Sequence, residues 1–460
     1  MPRLRQRRGA HRPRVFVLGL DGTPGSYLRA ETAAGRLPNL AALFADGGPV
    51  PMRSSLPSVS STAWTTFLTG RDPGGHGVFG FMDCKAASHD FYFPNLEHVT
   101  APTLWDVLGS TGRRSVILNV PGTYPARPLD GVLVSGFVAP RIERAVHPSG
   151  LLSRLRAMGY RIDLDTWAAR AEFEALRHDL FATLDRRLDA VRMLLAEEPW
   201  DLYVAVITET DRLYHFLWNA MAAGEERAVD LFQRFHAAID RFVGWLVDSL
   251  PDGTHLVILS DHGFAAERRS VFTNAWLRER GFLAFDVDEP KGLSMISTAS
   301  TVYSLDPGRF YVNRAGGRAR GGVPPEGAGA VVDRLVEELA DLRDPETGEL
   351  VYGQLVRRED AYHGPYVAFG PDVVLTLRPG YELKGSTAAR AVLGPPPAGL
   401  GGMHTSDDAF LWVRGAALRE GRHDLDLHDL APTILELLGM APDGFQGRSL
   451  LAPAGAAVGR

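Results

Sequence analysis

The chain has 460 residues, of which 45% are hydrophobic and 23% charged, a composition typical of an ordinary globular protein. Its length allows two or three domains, or one α/β enzyme with an inserted lobe. A net charge of −6 argues against specific nucleic-acid binding, the single cysteine, Cys84, excludes an internal disulfide, and no apolar run approaches the roughly 20 residues of a membrane-spanning helix.

The amino terminus is basic. Six of the first fourteen residues are arginine, and the apolar run VFVLGL follows directly. That run is too short to be the hydrophobic region of a signal peptide. We therefore expect residues 1–13 to form a disordered basic arm and the protein to be cytoplasmic.

Short apolar runs bounded by turn residues recur along the chain and predict strands buried on both faces. They cover residues 15–20, 115–120, 131–138, 202–207, 255–260, 372–377 and 409–413. Apolar residues at helical spacing predict helices over 169–197, 224–250, 328–343 and 427–438. Alternating strands and helices predict an α/β fold, doubly wound, with a mostly parallel sheet flanked by helices.

Residues 265–400 interrupt this alternation. They include the Gly- and Pro-rich stretches GGRARGGVPPEGAG and LGPPPAGLGG. We predict that residues 14–264 and 401–451 form the core, and that 265–400 form an inserted smaller lobe that shapes the substrate pocket.

Aspartate and histidine side chains follow several of the predicted strands. They are Asp21 in GLDG, Asp211 and His215 in TETDRLYH, Asp261 and His262 in SDHGF, and His404 in GMHTSDD. Because ligands bind beyond the carboxyl ends of the strands in open α/β sheets, we expect these side chains to meet at one edge. Asp211 and His215 are four residues apart, which places them on one face of a helix. Three carboxylates and three imidazoles can form two metal sites of three ligands each.

A hydroxyl-rich segment, SLPSVSSTAW, leads into a predicted helix through AWTTFLTG. The free amides at a helix start favour an incoming phosphate, and Ser60 there would be a nucleophile held close to it. Ser58, Ser61 and Thr62 compete for that role, and a helix-capping serine is the alternative. His76, in PGGHG, is expected to stabilise its loop.

Taken together, the motifs resemble the alkaline phosphatase superfamily and, within it, the type I phosphodiesterase/nucleotide pyrophosphatase family. The resemblance spans roughly residues 14–450 and rests on GLDG, PSVSSTAWTTFLTGRDPGGHGVFGF, NVPGTYP, TETDRLYH, SDHGF, GMH and DLAPTILELLG. It implies an alkaline phosphatase-like core.

The resemblance also implies site roles, position by position. One ion would be bound by Asp21, Asp261 and His262, and the other by Asp211, His215 and His404. The nucleophile position, nine residues before the Thr69-Gly70 pair, falls on Ser60, whose oxygen would also contact the metals. The ligand types suit two zinc ions, and manganese or iron is also compatible. Asn119 in NVPGTYP could contact substrate, or equally stabilise its turn.

Three features depart from the family pattern. Nucleotide-cleaving relatives have threonine followed by Phe-Pro-Asn, where this chain has Ser60 followed by Ser-Thr-Ala. Phe81 stands where those relatives hold a phosphate oxygen with asparagine, which weakens a nucleotide-diester assignment. The segment after Ser60 lacks the proline and arginine of the sulfatase motif, which argues against a sulfatase.

We therefore expect a metal-dependent hydrolase of small-molecule phosphate esters, of the phosphodiesterase/nucleotide pyrophosphatase type. Ser60 would attack phosphorus to form a phosphoserine intermediate, with two ions stabilising the attacking and departing oxygens. A phosphomonoesterase, a phosphonate hydrolase, or a phosphoryl transferase or mutase would use the same metal core. In a different class, the chain could be a degenerate binding protein without catalysis.

Overall fold

The computed structural model describes residues 12–85, 88–165, 172–317, 319–419 and 425–452. The predicted basic arm therefore lies outside the described residues except for its last two. None of the helices in these ranges is long and apolar enough to cross a membrane. The cytoplasmic location stays a prediction.

The strands, in chain order, are β1 (Arg14–Leu20), β2 (Val50–Met52), β3 (Asp83–Cys84), β4 (Phe91–Tyr92), β5 (Ser115–Leu118), β6 (Gly131–Val134), β7 (Val146–His147), β8 (Leu202–Ile207), β9 (Thr254–Leu259), β10 (Gly263–Ala266), β11 (Arg269–Phe272), β12 (Val302–Leu305), β13 (Arg309–Val312), β14 (Tyr352–Arg357), β15 (Val373–Leu377), β16 (Tyr381–Lys384), β17 (Leu393–Gly394), β18 (Gly402–Thr405) and β19 (Ala409–Arg414). The α-helices are α1 (Gly25–Ala33), α2 (Pro38–Leu43), α3 (Ser60–Thr69), α4 (Pro73–His76), α5 (Leu104–Gly109), α6 (Leu152–Ala157), α7 (Phe173–Glu197), α8 (Glu209–Ala222), α9 (Glu226–Ser249), α10 (Thr273–Glu279), α11 (Ala328–Leu339), α12 (Arg358–Ala361) and α13 (Leu430–Leu437).

Eight strands form the central sheet, in the order β2-β19-β9-β1-β8-β5-β6-β7. The five from β9 to β6 run parallel, whereas β2, β19 and β7 join by antiparallel pairing. Alternate residues of β1 point to opposite faces: Phe16 and Leu18 pack with the long helices α7 and α9, and Val15 and Val17 pack with α3, α5 and α13. This confirms the predicted α/β fold, in which a mostly parallel sheet lies between helices.

Several predicted elements are shorter than the patterns indicated. The strand expected over 131–138 ends at Val134, because Gly136 turns to donate its amide to the Val120 carbonyl. The helix expected over 328–343 ends at Leu339, and Arg343 forms an antiparallel bridge instead. The helix expected over 427–438 begins with a 3-10 turn and becomes an α-helix only at Leu430. Of the helix expected over 169–197, residues 169–171 lie outside the described ranges.

Residues 269–394 build two smaller sheets, a four-stranded antiparallel sheet in the order β12-β13-β15-β14 and a three-stranded sheet in the order β16-β11-β17. Both contribute to one hydrophobic cluster together with α10 and α11. The run at 372–377, predicted as a strand buried on both faces, is β15 of this lobe, and its Thr376 and Leu377 are only partly buried. The chain then returns to the core through β18, which pairs antiparallel with β10.

His76 is a fully buried histidine at the end of α4. Its Nδ1 accepts a hydrogen bond from the Val78 amide at 3.1 Å, and its Nε2 lies 3.1 Å from the Thr66 hydroxyl oxygen. Burial lowers the pKa of His76 to about 3. Because the unfolded chain binds this proton near pH 6.5, the stability contribution is complete above that pH and is lost progressively towards pH 3.

We therefore expect this group to lower the free energy of unfolding by about 2 kcal/mol between pH 7 and pH 5. Urea unfolding of the wild-type protein and of His76→Asn at both pH values measures the contribution. The variant should have the shallower pH dependence, whereas substituting the exposed His178 with Gln should leave it unchanged. Equal slopes for wild type and His76→Asn would contradict the assignment.

Candidate metal centre and nucleophile

Neighbouring strands bring the acidic side chains together at the carboxyl edge of the central sheet. Asp21 directly follows β1, and β1 pairs with both β8 and β9. Asp261 and His262 follow β9 after a single residue, and Asp211 lies in the first turn of α8, which begins just after β8. Three adjacent strands therefore deliver four of the predicted site residues to one point.

His404 comes from the returning strand β18. It stands opposite Phe264 of β10, the residue two beyond His262. This pairing stacks the His404 ring on the His262 ring, with centroids 3.8 Å apart and an interplanar angle of 23°. The sixth side chain, His215, lies one helical turn after Asp211 on α8, as its spacing predicted.

Asp21, Asp261 and His262 form the first group. Their ligand atoms lie within 4.8 Å of one another. His262 Nε2 is 3.6 Å from Asp21 Oδ1 and 3.4 Å from Asp261 Oδ2. All three side chains are buried. The structure thus brings together the trio that was expected to share one ion.

Asp211, His215 and His404 form the second group. Asp211 Oδ1 is 3.4 Å from His215 Nε2 and 3.3 Å from His404 Nε2, and the two Nε2 atoms are 2.9 Å apart. Asp211, His262 and His404 also lie within 4.8 Å of one another. His262 therefore stands where the two groups meet.

The three imidazoles share one orientation. In His215, His262 and His404, Nδ1 faces a backbone carbonyl at 3.2, 3.1 and 2.9 Å, respectively. A carbonyl can only accept, so Nδ1 carries the hydrogen and the Nε2 lone pair is directed towards the carboxylates. This is the tautomer and the backbone support that metal-ligating histidines commonly have.

Two of the buried carboxylates, Asp21 and Asp261, are short of positive charge. Burial raises the pKa of Asp21 well above its usual range, and the nearby charges of Asp261 and Asp211 raise it further. Burial also raises the pKa of Asp261 to about 7. The buried Oδ2 of Asp261 accepts no hydrogen bond. Divalent cations would supply the missing charge, and this mixed oxygen and nitrogen donor set suits zinc.

Ser60 is the hydroxyl that reaches this cluster. Its Oγ donates to Asp21 Oδ1 at 3.2 Å and lies 3.2 Å from His262 Nε2. Val59 occupies the N-cap position of α3, so Ser60 is the first helical residue and does not cap the helix. Ser61 Oγ and Thr62 Oγ1 are buried without a hydrogen bond, and Ser58 contributes its carbonyl to His404.

Further residues hold the carboxylates in place, and the motifs did not identify them. Trp64 Nε1 donates to Asp21 Oδ2 at 3.1 Å, from one turn after Ser60 on α3. The Gly22 amide donates to Asp261 Oδ1 at 3.1 Å. The only sequence signal for Trp64 was its four-residue spacing from Ser60.

Arg212 adds a cation next to the second group. Its Nη1 donates to Asp211 Oδ2 at 3.0 Å, while Nε and Nη2 donate to the two oxygens of Asp163 at 2.9 and 2.7 Å. The bond to Oδ2 leaves Asp211 Oδ1 directed at the two histidines. Arg212 therefore fixes which carboxylate oxygen is available to a metal.

Asn119 is fully buried, in a left-handed backbone conformation with φ 62°. Its Nδ2 donates to the Val206 carbonyl and to the Thr208 hydroxyl, each at 3.0 Å. These bonds connect the turn after β5 to the end of β8. Of the two roles expected for Asn119, this is the turn-stabilising one. A contact with substrate stays a prediction.

A cavity of about 540 Å³ opens from the cluster. Ser60, Asp211, His215 and His404 are among its lining residues, and strands β15 and β16 of the lobe form part of its wall. The site is therefore a set of ligand-type side chains and a hydroxyl at the bottom of a pocket between core and lobe.

We expect Trp64→Phe to weaken metal binding without disrupting the fold. The substitution preserves the aromatic packing of α3 but removes the hydrogen bond that orients Asp21, and losing such an outer contact typically costs about 10- to 100-fold in metal affinity. Competition with a chromophoric chelator measures the affinity. Trp105→Phe makes the same change in the same hydrophobic cluster, away from Asp21, and should have no effect. Equal affinities for both variants would contradict the role of Trp64.

The chain is similar to known proteins in sequence and in fold. A sequence profile of the type I phosphodiesterase / nucleotide pyrophosphatase family matches residues 15–407. No curated protein matches the chain in sequence. Among solved structures, phosphonoacetate hydrolase from Sinorhizobium meliloti 1021 in complex with phosphonoformate is 16% identical with a TM-score of 0.61, covering 93% of this chain and 95% of that one.

The same hydrolase in complex with phosphonoacetate gives a TM-score of 0.60 at the same identity and coverage. Human ectonucleotide pyrophosphatase / phosphodiesterase 5 is 16% identical with a TM-score of 0.55, covering 95% of this chain and 99% of that one. At such identities these likenesses concern the fold.

Proposed function

Because this chain belongs to the type I phosphodiesterase/nucleotide pyrophosphatase family, we propose that it hydrolyses phosphodiesters with Ser60 as nucleophile and two divalent ions, for which the donor set suits zinc. The observation that carries the proposal is the position of Ser60 Oγ, 3.2 Å from both Asp21 Oδ1 and His262 Nε2. This places a hydroxyl among side chains suited to bind metals.

Two groups of residues would hold the ions: Asp21, Asp261 and His262 for one, and Asp211, His215 and His404 for the other. Bound there, divalent ions supply Lewis acidity, which lowers the pKa of a serine hydroxyl and neutralises charge developing on the phosphoryl oxygens. The donor types suit zinc, and manganese or iron would fit the same donors.

The reaction of the chain's own groups has two steps. Ser60 releases its proton to solvent water, and Oγ attacks phosphorus while the bond from phosphorus to the leaving oxygen breaks; the departing oxygen takes a proton from solvent. This produces a phosphoserine ester at the start of α3, where the helix terminus favours negative charge. A water molecule then attacks the same phosphorus in line and releases Ser60 and the phosphate product.

The cavity has room for a second ester group. It extends from Ser60 as far as the lobe strands β15 and β16, with a volume of about 540 Å³. A diester carries such a group on phosphorus in addition to its leaving group, and the cavity can hold it.

Parallel assays of bis-p-nitrophenyl phosphate and p-nitrophenyl phosphate test the proposal. The enzyme is first chelated and then reloaded with zinc or manganese. We expect metal-dependent cleavage with the diester hydrolysed faster.

Faster monoester cleavage would instead identify a phosphomonoesterase, and release of phosphate from phosphonoacetate alone would identify a phosphonate hydrolase. If the reloaded protein cleaves none of these compounds, hydrolysis is refuted and a phosphoryl transferase or a binding protein takes its place.

A further inference from the structure

We propose that the cavity beside Ser60 binds an apolar ester group of the substrate, an alkyl chain or aryl ring, in preference to a nucleoside. The inference rests on the proposed function, since it concerns the group attached to the phosphorus that Ser60 attacks. It draws on the two cavity walls, on the bonding of the polar groups between them and on the surface beyond.

The first wall is aromatic and belongs to the core. Phe81 and Phe137 both line the cavity, and their rings are stacked, with centroids 5.6 Å apart and planes 7° from parallel. The Arg212 guanidinium lies 4.2 Å from the Phe137 ring centroid and also bonds Asp211. This wall therefore begins beside the metal ligands and presents ring carbon to the cavity.

The second wall belongs to the lobe. Leu375 and Leu377 of β15 and Tyr381 and Leu383 of β16 line the cavity. Leu375, Tyr381 and Leu383 are also buried members of the hydrophobic cluster of the lobe, which fixes their positions, and Leu377 packs against that cluster while keeping part of its surface exposed. An ester group that enters between the two walls exchanges water for hydrocarbon contacts on both sides.

Most charged groups between the walls are already paired. Arg212 is held by Asp163 and Asp211, Lys384 donates to Glu382, and Asp306 accepts the Gly385 amide.

The remaining charged residues of the lining outside the ligand groups, Arg378 and Asp407, are exposed to solvent. A nucleoside would lose many hydrogen bonds to water, and the paired charged groups offer few in return; of the neutral polar lining, the buried Thr405 hydroxyl has no hydrogen bond and could satisfy one group of a nucleoside. An apolar group loses none.

The apolar surface continues from the cavity to solvent. Phe93 meets the Phe81 ring edge-on at 5.1 Å and is 47% exposed. Phe91, on β4, is 44% exposed. Only four large hydrophobic side chains are exposed in the described ranges, and Phe91 and Phe93 are two of them. A chain longer than the cavity would find an apolar path outward.

Calorimetric titration of the full-length, zinc-reloaded protein tests the inference without requiring turnover. The ligands are methylphosphonate, n-octylphosphonate below its micellar concentration, and thymidine 5′-monophosphate. We expect n-octylphosphonate to bind about 100-fold more tightly than methylphosphonate, since methylene burial in an apolar site is favourable. It should also bind more tightly than the nucleotide.

Equal affinities for the two alkyl ligands, or tighter binding of the nucleotide, would overturn the inference. These results stand whether or not the enzyme cleaves diesters, so failure of the proposed function and failure of this inference are distinguishable.

Variants of both walls locate the binding. Phe81→Gln and Leu377→Gln should each reduce the octyl-to-methyl affinity ratio by about 10-fold, because each places an amide against the alkyl chain. Phe369→Gln is the matched control, since Phe369 is 69% exposed and lies outside the cavity lining. Near-UV circular dichroism verifies that each variant is folded. An unchanged ratio in both wall variants would place the alkyl group elsewhere and overturn the inference.

Discussion

Replacing Ser60 with alanine is expected to lower kcat for diester hydrolysis by about 10³-fold or more, because it removes the attacking oxygen. Metal content should stay close to that of the wild type, since all six carboxylate and imidazole ligands remain. Stopped-flow or end-point assays with bis-p-nitrophenyl phosphate measure the rate, and elemental analysis measures the bound metal.

Acid quenching during turnover gives a second measurement. The peptide that contains Ser60 should carry a p-nitrophenyl phosphoryl group in the wild type and none in Ser60→Ala. Ser61→Ala removes the neighbouring hydroxyl, which has no hydrogen bond in the structure, and should retain activity. If Ser61→Ala is inactive and Ser60→Ala active, the nucleophile is assigned to the wrong residue.

Replacing Asp261 with asparagine is expected to have opposite effects on activity and on the stability of the metal-free protein. The amide oxygen can still accept the Gly22 hydrogen bond, but the charge next to Asp21 is removed. We expect one bound ion per chain rather than two, and a loss in kcat of about 10³-fold. Without metal, the variant should unfold with a free energy at least about 1 kcal/mol higher than wild type, since an uncompensated buried carboxylate has gone.

Asp372→Asn is the control for this effect. Asp372 is equally buried, but Arg314 and Arg358 bond its carboxylate at 2.5 and 2.6 Å. Removing its charge leaves two guanidinium groups without their partner and should destabilise the protein. Denaturant unfolding in the presence of a chelator compares the three proteins. Destabilisation of metal-free Asp261→Asn would show that its charge is already balanced by the chain.

The sequence predicted that the site side chains lie close together because the motifs were placed at the ends of strands. Asp21 and the Asp261-His262 pair could be placed from their strands alone, since parallel strands end at a common edge. His404 could not be placed this way, because its position depends on the antiparallel pairing of β18 with β10 after the chain has passed through the lobe. The set of Asp and His motifs already included His404, and the family resemblance then assigned it to the second group.

Local sequence patterns could not identify the residues that support the site, and the reason is physical. Trp64 reaches Asp21 across a tertiary contact set by how α3 packs, and Arg212, although it adjoins Asp211 in the chain, is oriented by tertiary bonds to Asp163. The cavity walls likewise depend on the orientation of β15 and β16 relative to the core. Hydrophobic periodicity predicts which face of a helix or strand is buried, but it does not predict which residues that face contacts.

The return of the chain through β18 has a consequence for the order in which the site can be assembled. During synthesis, five of the six ligand-type side chains have been made by residue 262, but His404 follows only after the whole lobe. A nascent or truncated chain therefore lacks the imidazole that bridges Asp211 and His215. The six side chains can therefore come together only after the lobe has been made, when β18 pairs with β10.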